Sequence, residues 1–171
     1  MMSWNPANQP RDHHPAFLSI LKELTPDEAR ILRFMMIAGP QPSIDWRTKT
    51  FLMRGSERLA AGVNWIGDYA GCTWPDRIQH YLANLNRLGL IRFSEEPVRD
   101  FRRYSLLDGH PRSVAVLRNH KRVISVYRSI YLSLLGQQFC EAVFEHDDYD
   151  AGGWSDSASD DVYLGKGPRL P

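Results

Sequence analysis

A helix, a strand, a returning strand and a second helix follow one another in the second half of this chain, and this order most restricts the fold. Residues 81–90 (YLANLNRLGL) place apolar side chains at helical spacing, stop at Gly89 and lead directly into the short apolar segment 91–93. Residues 123–132 are rich in β-branched and aromatic side chains, and Ser133 then opens another amphipathic segment. Two strands in this position form the wing of a winged helix-turn-helix domain. The pattern predicts an α+β, helix-rich fold with such a core.

The two wing strands are separated by an unusually long segment. A wing tip needs only a few residues, whereas residues 94–122 lie between these strands. Apolar residues at helical spacing on either side of residues 108–111 predict two short helices there. We therefore expect a helical insertion in the wing, followed by a C-terminal helix that Ser133 caps. The inward face of that helix is predicted to hold Leu135, Phe139, Ala142 and Val143.

The first half of the chain predicts two more helices of the core and the start of the third, which is the one that stops at Gly89. One begins near Pro15, and the next carries a capping box in which Thr25 and Glu28 satisfy each other's backbone amides. The third is expected to open at Thr73 with Asp76 as the capping acid. Between them, residues 42–46 alternate as a short strand would, residues 56–63 suggest a helix, and residues 65–70 suggest a further short turn.

The distribution of charge suggests three regions. Residues 1–13 are polar and are predicted to be a flexible arm, and residues 14–144 form the single folded domain. Residues 145–171 carry seven acidic side chains against Lys166 and Arg169 and lack apolar periodicity, which predicts a disordered acidic tail. By contrast, residues 92–128 carry nine arginines and lysines against four acidic side chains. The formal net charge of +1 hides this asymmetry.

Composition favours a cytoplasmic protein without a membrane segment. The start of the chain has neither a basic segment nor an apolar run, so we expect no signal peptide, and no apolar run approaches the roughly 20 residues that span a bilayer. Cys72 and Cys140 are far apart and belong to no Cys-x-x-Cys pair, which is typical of free thiols in a reducing compartment.

No motif in the sequence predicts catalysis, a cofactor or a metal site. Residues 12–14 (DHH) lack the further ligands of a metal phosphoesterase, and Ser19 with Lys22 matches the Ser-x-x-Lys of penicillin-recognising enzymes without its companion motifs. The remaining histidines and both cysteines have no ligand partner at helical spacing. The sequence therefore favours a non-enzymatic protein that needs no cofactor.

A nucleic-acid surface is the strongest site hypothesis that the residues themselves support. If residues 74–88 are the recognition helix, their outward face offers Gln79, His80 and Arg87 for base contacts, although Asp76 would oppose phosphates. The insertion adds a basic set that is suited to phosphate contacts. That set contains Arg99, Arg102, Arg103, Arg112, Arg118, Lys121 and Arg122. The alternative is that these side chains form an ordinary solvated surface on a domain that docks a protein.

Several blocks of the sequence resemble the Abi-alpha family, the abortive infection protein alpha domain of bacteria. The opening block is residues 14–17 (HPAF) with 20–21 (IL) and 24–32 (LTPDEARIL), and the later blocks are residues 85–91 (LNRLGLI) and 132–140 (LSLLGQQFC). The likeness covers about residues 14–144. It implies a role in bacterial defence against phage and supplies no catalytic residues to carry over.

Two functional classes follow from these observations. The first is a non-enzymatic defence module that binds a partner protein, such as a phage component, or that restrains a toxin as an immunity protein or antitoxin would. The second is a winged-helix DNA-binding transcriptional regulator. The outward face of the third helix has few base-reading groups, which favours the protein-binding class.

Overall fold

The computed structural model describes residues 14–50 and 56–144, which form an α+β domain that is rich in helix. The predicted arm and acidic tail lie outside these residues. In chain order the helices are α1 (Phe17–Glu23), α2 (Pro26–Ala38), α3 (Ile66–Tyr69), α4 (Ile78–Arg87), α5 (Arg102–Asp108), α6 (Pro111–Asn119) and α7 (Leu134–Val143). The strands are β1 (Gln41–Thr48), β2 (Arg58–Val63), β3 (Ile91–Ser94) and β4 (Val123–Leu132), and a 3-10 turn at Pro75–Arg77 leads into α4.

The four strands form one curled antiparallel sheet with the order β2-β1-β4-β3. β3 pairs with the end of β4, from Ile91 opposite Leu132 to Ser94 opposite Ser129, so the predicted pairing of the two later strands is confirmed. On its other edge, β4 pairs with the whole of β1, from Gln41 opposite Ile130 to Thr48 opposite Val123. β4 is therefore the longest strand and joins the two halves of the chain.

One face of the sheet, the front face, carries the helical core. Ile130 and Leu132 of β4 and Ile91 of β3 are buried against α1, α2, α4 and α7. Helix α4 contributes the buried side chains Ile78, Leu82 and Leu85, as its apolar stripe predicts. None of the helices in the described part of the chain combines the length and apolar character that crossing a bilayer requires.

The opposite face, the back face, is covered by the insertion. Successive strand residues point to opposite sides of a sheet, so Ile44 and Trp46 point away from the helical core. They are buried in a second cluster with Tyr104 and Leu107 of α5 and Val116 of α6. The predicted pair of insertion helices is confirmed, and their apolar residues form the third layer of the domain.

The prediction of a helix over residues 56–63 was wrong, because Arg58–Val63 is strand β2. The register places Ile44 opposite Val63 but Trp46 opposite Ala60, so β2 carries an extra residue between the two pairs. Gly62 lies at this bulge with a φ of 58°, a conformation that residues with a side chain rarely adopt. The bulge disrupts the period-two alternation by which a strand is recognised in sequence.

Two predicted helix boundaries had different outcomes. Gly89 ends α4 with a φ of 77°, and the amide of Leu90 donates to the carbonyl of Leu85 at 3.0 Å, as in a Schellman stop. Thr73, however, makes no side-chain cap, and the chain enters α4 through the 3-10 turn. The carboxylate of Asp27 on α2 accepts the amide of Thr73 instead, so this start is capped from a different helix.

Candidate functional site

An open groove lies on the front face, beside the helical core. Ser43 and Asp45 of β1 alternate with the buried Ile44 and so point to this side, and the groove has a volume of about 470 Å³. All four strands and α4 contribute to it. Its lining consists of Ser43, Asp45, Arg58, Ala61, Gly62, Gln79, Phe93, Ser94, Glu95, Arg128, Ser129 and Ile130.

The floor of the groove is organised around the buried carboxylate of Asp45, which is 4% exposed. Its Oδ1 accepts the amide of Gly62 at 2.8 Å, which is the amide that the β2 bulge releases from the ladder. Its Oδ2 accepts Arg128 Nε at 2.9 Å and lies 3.9 Å from Arg58 Nε. A buried carboxylate is stable only when it is paired and hydrogen-bonded, and both oxygens of Asp45 meet that condition.

Arg128 connects the floor of the groove to its rim. Burial opposes the charge of the guanidinium, but the hydrogen bonds to Asp45 and Glu95 outweigh it and raise the pKa of Arg128 above its ordinary value. The bond to the exposed carboxylate of Glu95 measures 3.3 Å. Two arginines and two carboxylates therefore neutralise one another within the groove, which leaves no surplus charge to attract an ion.

The rim combines one apolar and one amide side chain. Phe93 is on the front face opposite Ile130, yet 54% of it is exposed. At the other end, Gln79 Nε2 donates to the carbonyl of Gly62 at 2.9 Å, which joins α4 to the end of β2. Aromatic side chains are enriched at protein interfaces relative to the rest of the protein surface.

Metal-ligating and thiol side chains were candidates for chemistry in the described part of the chain. Within residues 14–50 and 56–144, no group of three or more His, Cys, Asp or Glu side chains could hold a metal. Both cysteines are free thiols. Burial raises the pKa of Cys72 to about 11 and that of Cys140 to about 12. At neutral pH neither forms the thiolate that nucleophilic chemistry requires.

The base-reading residues predicted on α4 are exposed but partly engaged. Gln79 is held by Gly62, as described above. Arg87 Nη2 lies 2.6 Å from the Glu23 carboxylate and also donates to Asn84 Oδ1 at 2.8 Å. His80 is exposed, and no hydrogen bond of its side chain is recorded among the described residues. All three side chains of the expected outward face are therefore exposed. Two of them, Gln79 and Arg87, are held by contacts within the domain.

The basic residues predicted in the insertion do not form one surface. Arg103 is 2% exposed and donates to Gln41 Oε1 at 3.1 Å, so its assignment to a solvent-facing phosphate site was wrong. Its position one residue before Tyr104 on the buried face of α5 explains this burial. Arg102 is exposed and pairs with Asp100 at 2.8 Å. Arg99, Arg112, Arg118, Lys121 and Arg122 are exposed.

The two predicted sets also lie on opposite sides of the sheet. Helix α4 packs on the front face with Ile91 and Ile130, whereas α5 and α6 pack on the back face with Ile44 and Trp46. A duplex bound along α4 would therefore face away from the insertion helices. Sequence reasoning could not detect this separation, because it depends on strand pairing.

Apart from Gln79, no groove residue is predicted as a site residue from the sequence. Asp45 and Arg128 are 83 residues apart, and no local pattern connects a single acid on one strand to a single arginine on another. A weak signal existed in the alternation of Ser43, Asp45 and Arg47 with apolar residues along β1. It predicts a polar strand face but does not reveal what that face contacts.

Comparison with known proteins gives a family and one related structure. A family model described as Abortive infection alpha matches residues 6–143, which confirms the resemblance seen in the sequence blocks. No curated protein is significantly similar to the chain. A solved structure of the uncharacterized protein from the hydrocarbon-degrading marine bacterium Alcanivorax borkumensis SK2 is 24% identical, with a TM-score of 0.49. That alignment covers 74% of this chain and 90% of the other.

Proposed function

Because this chain belongs to the Abortive infection alpha family, we propose that it is a non-enzymatic, cytoplasmic module of bacterial defence against phage that acts by binding a partner protein. The observation that carries this proposal is the groove on the front face. The partner is a phage component or a toxin that the chain restrains, as an immunity protein or antitoxin would.

The chemistry of the groove fits a polypeptide better than a small charged ligand. Its arginines and carboxylates already satisfy one another around Asp45, so a free ion would have to displace an internal pair. Phe93 supplies an exposed aromatic anchor, the type of residue that contributes most to protein interfaces. The polar rim around it provides hydrogen-bonding groups for a partner's backbone.

A non-enzymatic role is supported by the state of the reactive groups. Both oxygens of Asp45 accept hydrogen bonds, from the Gly62 amide and the Arg128 guanidinium. The Cys140 thiol is buried and the Cys72 thiol is half-buried, and both are protonated at neutral pH. A general base must be able to reach a substrate proton, and the buried carboxylate of Asp45, held by these bonds, is poorly placed to do so.

The second candidate is a winged-helix DNA-binding regulator, which the sheet order favours. Strands β1, β4 and β3 lie side by side in that order, with α4 leading into β3 and α7 following β4. This arrangement supports the candidate, in which α4 would serve as the recognition helix of a winged helix. The engagement of Gln79 and Arg87 within the molecule weakens the candidate, because base contacts would require these side chains to exchange partners.

Substitution of Phe93 tests the protein-binding proposal. In a host in which the natural chain reduces the plating of a phage, Phe93→Ser should remove most of that protection, because it deletes the exposed anchor of the groove. Leu134→Ser on α7 is the matched control, since Leu134 is 57% exposed and lies outside the groove lining. Thermal unfolding of both variants checks that the fold is retained. Full protection by a folded Phe93→Ser variant would contradict the proposal.

The regulator candidate is tested separately, by sequence-specific binding to duplex DNA. Altering His80 and Arg87 together should leave phage protection unchanged if the groove is the functional surface, because neither residue lines it. If the chain instead binds one operator sequence far more tightly than unrelated duplexes, and this double variant abolishes that preference, the regulator candidate replaces the first.

A further inference from the structure

The free end of the sheet, away from the helical core, gathers cations from three separate parts of the chain. β1 and β2 bring Arg47 opposite Arg58, and the amide of Lys49 donates to the carbonyl of Arg122 at 3.0 Å. Helix α6 ends at Asn119 and β4 begins at Val123, so Arg118, Lys121 and Arg122 lie at or next to this connection. The resulting basic tip consists of Arg47, Lys49, Arg58, Arg118, Lys121 and Arg122.

Apart from Arg58, which faces Asp45 in the groove, the cations of the basic tip have no carboxylate partner among the described residues. Residues 47–49, 56–58 and 118–123 contain one carboxylate, Glu57, against the six cations. Arg47 donates to Ser56 Oγ at 3.0 Å and to the Ser56 carbonyl at 2.8 Å, and both of these acceptors are neutral. The Arg58–Asp45 contact of 3.9 Å is the sole ion pair recorded for a tip residue in the described part of the chain.

Two of these arginines occupy directly opposed positions on neighbouring strands. Like charges at opposed positions destabilise a sheet, and a register shift next to Arg47 interrupts the regular pairing here. Carboxylates would relieve this repulsion, yet the tip has a single exposed one. An external polyanion would relieve it as well and would gain from the same concentration of charge.

We propose that the basic tip binds the phosphate backbone of duplex nucleic acid without reading its sequence. Four of the six cations are arginines, whose planar guanidinium groups match phosphate oxygens in bidentate geometry. Lys49, Arg118, Lys121 and Arg122 are all exposed, and the hydroxyl-bearing residues Thr48 and Ser56 lie among them. Contacts to phosphate fix the position of a protein on the duplex and supply affinity, but they carry no sequence information.

The tip differs from both surfaces considered above. The predicted recognition face is on α4, on the front side of the sheet, and the groove shares one residue, Arg58, with the tip. The sequence predicts Arg118, Lys121 and Arg122 as part of a nucleic-acid surface, and strand pairing adds Arg47, Lys49 and Arg58 from the first half of the chain. The inference is independent of the protein partner proposed for the groove.

Salt dependence of duplex binding tests this proposal in the full-length chain. The natural protein should bind labelled duplexes of two unrelated sequences equally at low salt, with a log–log slope of about −0.9 for each phosphate neutralised. Changing Lys49, Lys121 and Arg122 together to Gln should reduce the magnitude of the slope by roughly 2.7. The matched control changes Lys22, Arg77 and Arg92 to Gln, which removes the same charge from exposed positions elsewhere. The control should change the slope by less than about 0.9, which corresponds to one phosphate contact.

Three outcomes would overturn the proposal. The first is the absence of duplex binding at low salt, and the second is an equal loss of slope in the tip variant and in the control. The third concerns the class of partner. If the tip variant loses binding to polyglutamate while its binding to duplex is unchanged, the partner of the tip is an acidic polypeptide and not a nucleic acid. Thermal unfolding of each variant shows whether a loss of binding arises from unfolding.

Discussion

At the scale of single residues, Asp27 does more than its place in the first turn of a helix suggests. It is buried in α2, and its carboxylate accepts the amides of Thr73 at 2.9 Å and Trp74 at 3.2 Å. The hydroxyl of Tyr81 donates to it at 2.9 Å, and Arg30 pairs with it from the same helix. One carboxylate therefore caps the entry to α4 and joins that helix to α2.

These contacts predict a pH dependence of stability. Burial acts to raise the pKa of Asp27, but the hydrogen bonds from Thr73, Tyr81, Trp74 and Arg30 outweigh it and lower the pKa from 3.8 to about 2. Because the folded-state pKa is lower, ionised Asp27 stabilises the fold above about pH 4, and this contribution is lost as the pH falls towards 2. Urea unfolding of the natural chain and of Asp27→Asn should therefore differ most near neutral pH and converge near pH 2.

The exposed Asp76→Asn is the matched control for that comparison, because Asp76 lies in the neighbouring 3-10 turn and contacts no buried network. A gap between the natural chain and Asp27→Asn that stays constant from pH 6 to pH 2 would mean that the Asp27 contacts contribute no net charge stabilisation.

At the scale of elements, the junction between β4 and α7 is closely packed against the turn between α4 and β3. Ser133 caps α7 by accepting the amide of Gly136 at 2.9 Å, and its own amide donates to the carbonyl of Leu90 at 2.9 Å. A Cβ on Gly136 would lie 2.0 Å from that same carbonyl oxygen. The first turn of α7 can approach the α4–β3 turn only because residue 136 has no side chain.

We expect Gly136→Ala to destabilise the domain by about 1–3 kcal/mol or more, since the clash is with backbone and no flexible side chain can relieve it. Gly109→Ala at the end of α5 is the control, because its Cβ would meet the Leu106 carbonyl at an ordinary 3.6 Å. Chemical denaturation of both variants measures the two effects. Equal stability of the two variants would show that α7 can shift away from Leu90 at little cost.

At the scale of the whole molecule, the sheet separates two surfaces with different chemistry. The helical core and the groove lie on the front face, and the insertion covers the back face. The insertion is attached by buried polar contacts as well as by apolar packing: Trp46 Nε1 donates to Ser113 Oγ at 2.8 Å, and the Tyr104 hydroxyl donates to the Arg128 carbonyl at 2.7 Å. The second contact connects the back layer to the strand that carries the groove.

Ser113→Ala tests the attachment of the insertion. It leaves the indole N–H of Trp46 without an acceptor in a buried site, and we expect a loss of about 1–3 kcal/mol in the free energy of unfolding. Ser105→Ala on the exposed side of α5 should stay within about 0.5 kcal/mol. If both variants unfold at the same denaturant concentration as the natural chain, the insertion is held by its apolar contacts alone.

The sequence by itself determined the elements whose signals lie within a few residues. The capping box of Thr25 and Glu28 is present, Gly89 ends α4, residues 123–132 form β4, and Ser133 caps α7. Each depends on hydrogen bonds and backbone preferences that act over about one helical turn, so they can be read without knowledge of the fold. The family was likewise recognisable from residue blocks in order.

The tertiary structure alone decided the sheet, the groove and the basic tip. β2 was mistaken for a helix because its bulge is stabilised by a carboxylate on another strand, and Arg103 was placed on the surface although α5 buries it against Gln41. Asp27 reaches partners 46 and 54 residues away, and the Asp45–Arg128 pair spans 83 residues. Strand pairing and burial join residues regardless of their separation in the chain, so no local pattern encodes them. The groove and the tip, on which the proposals depend, exist only once those distant residues are brought together.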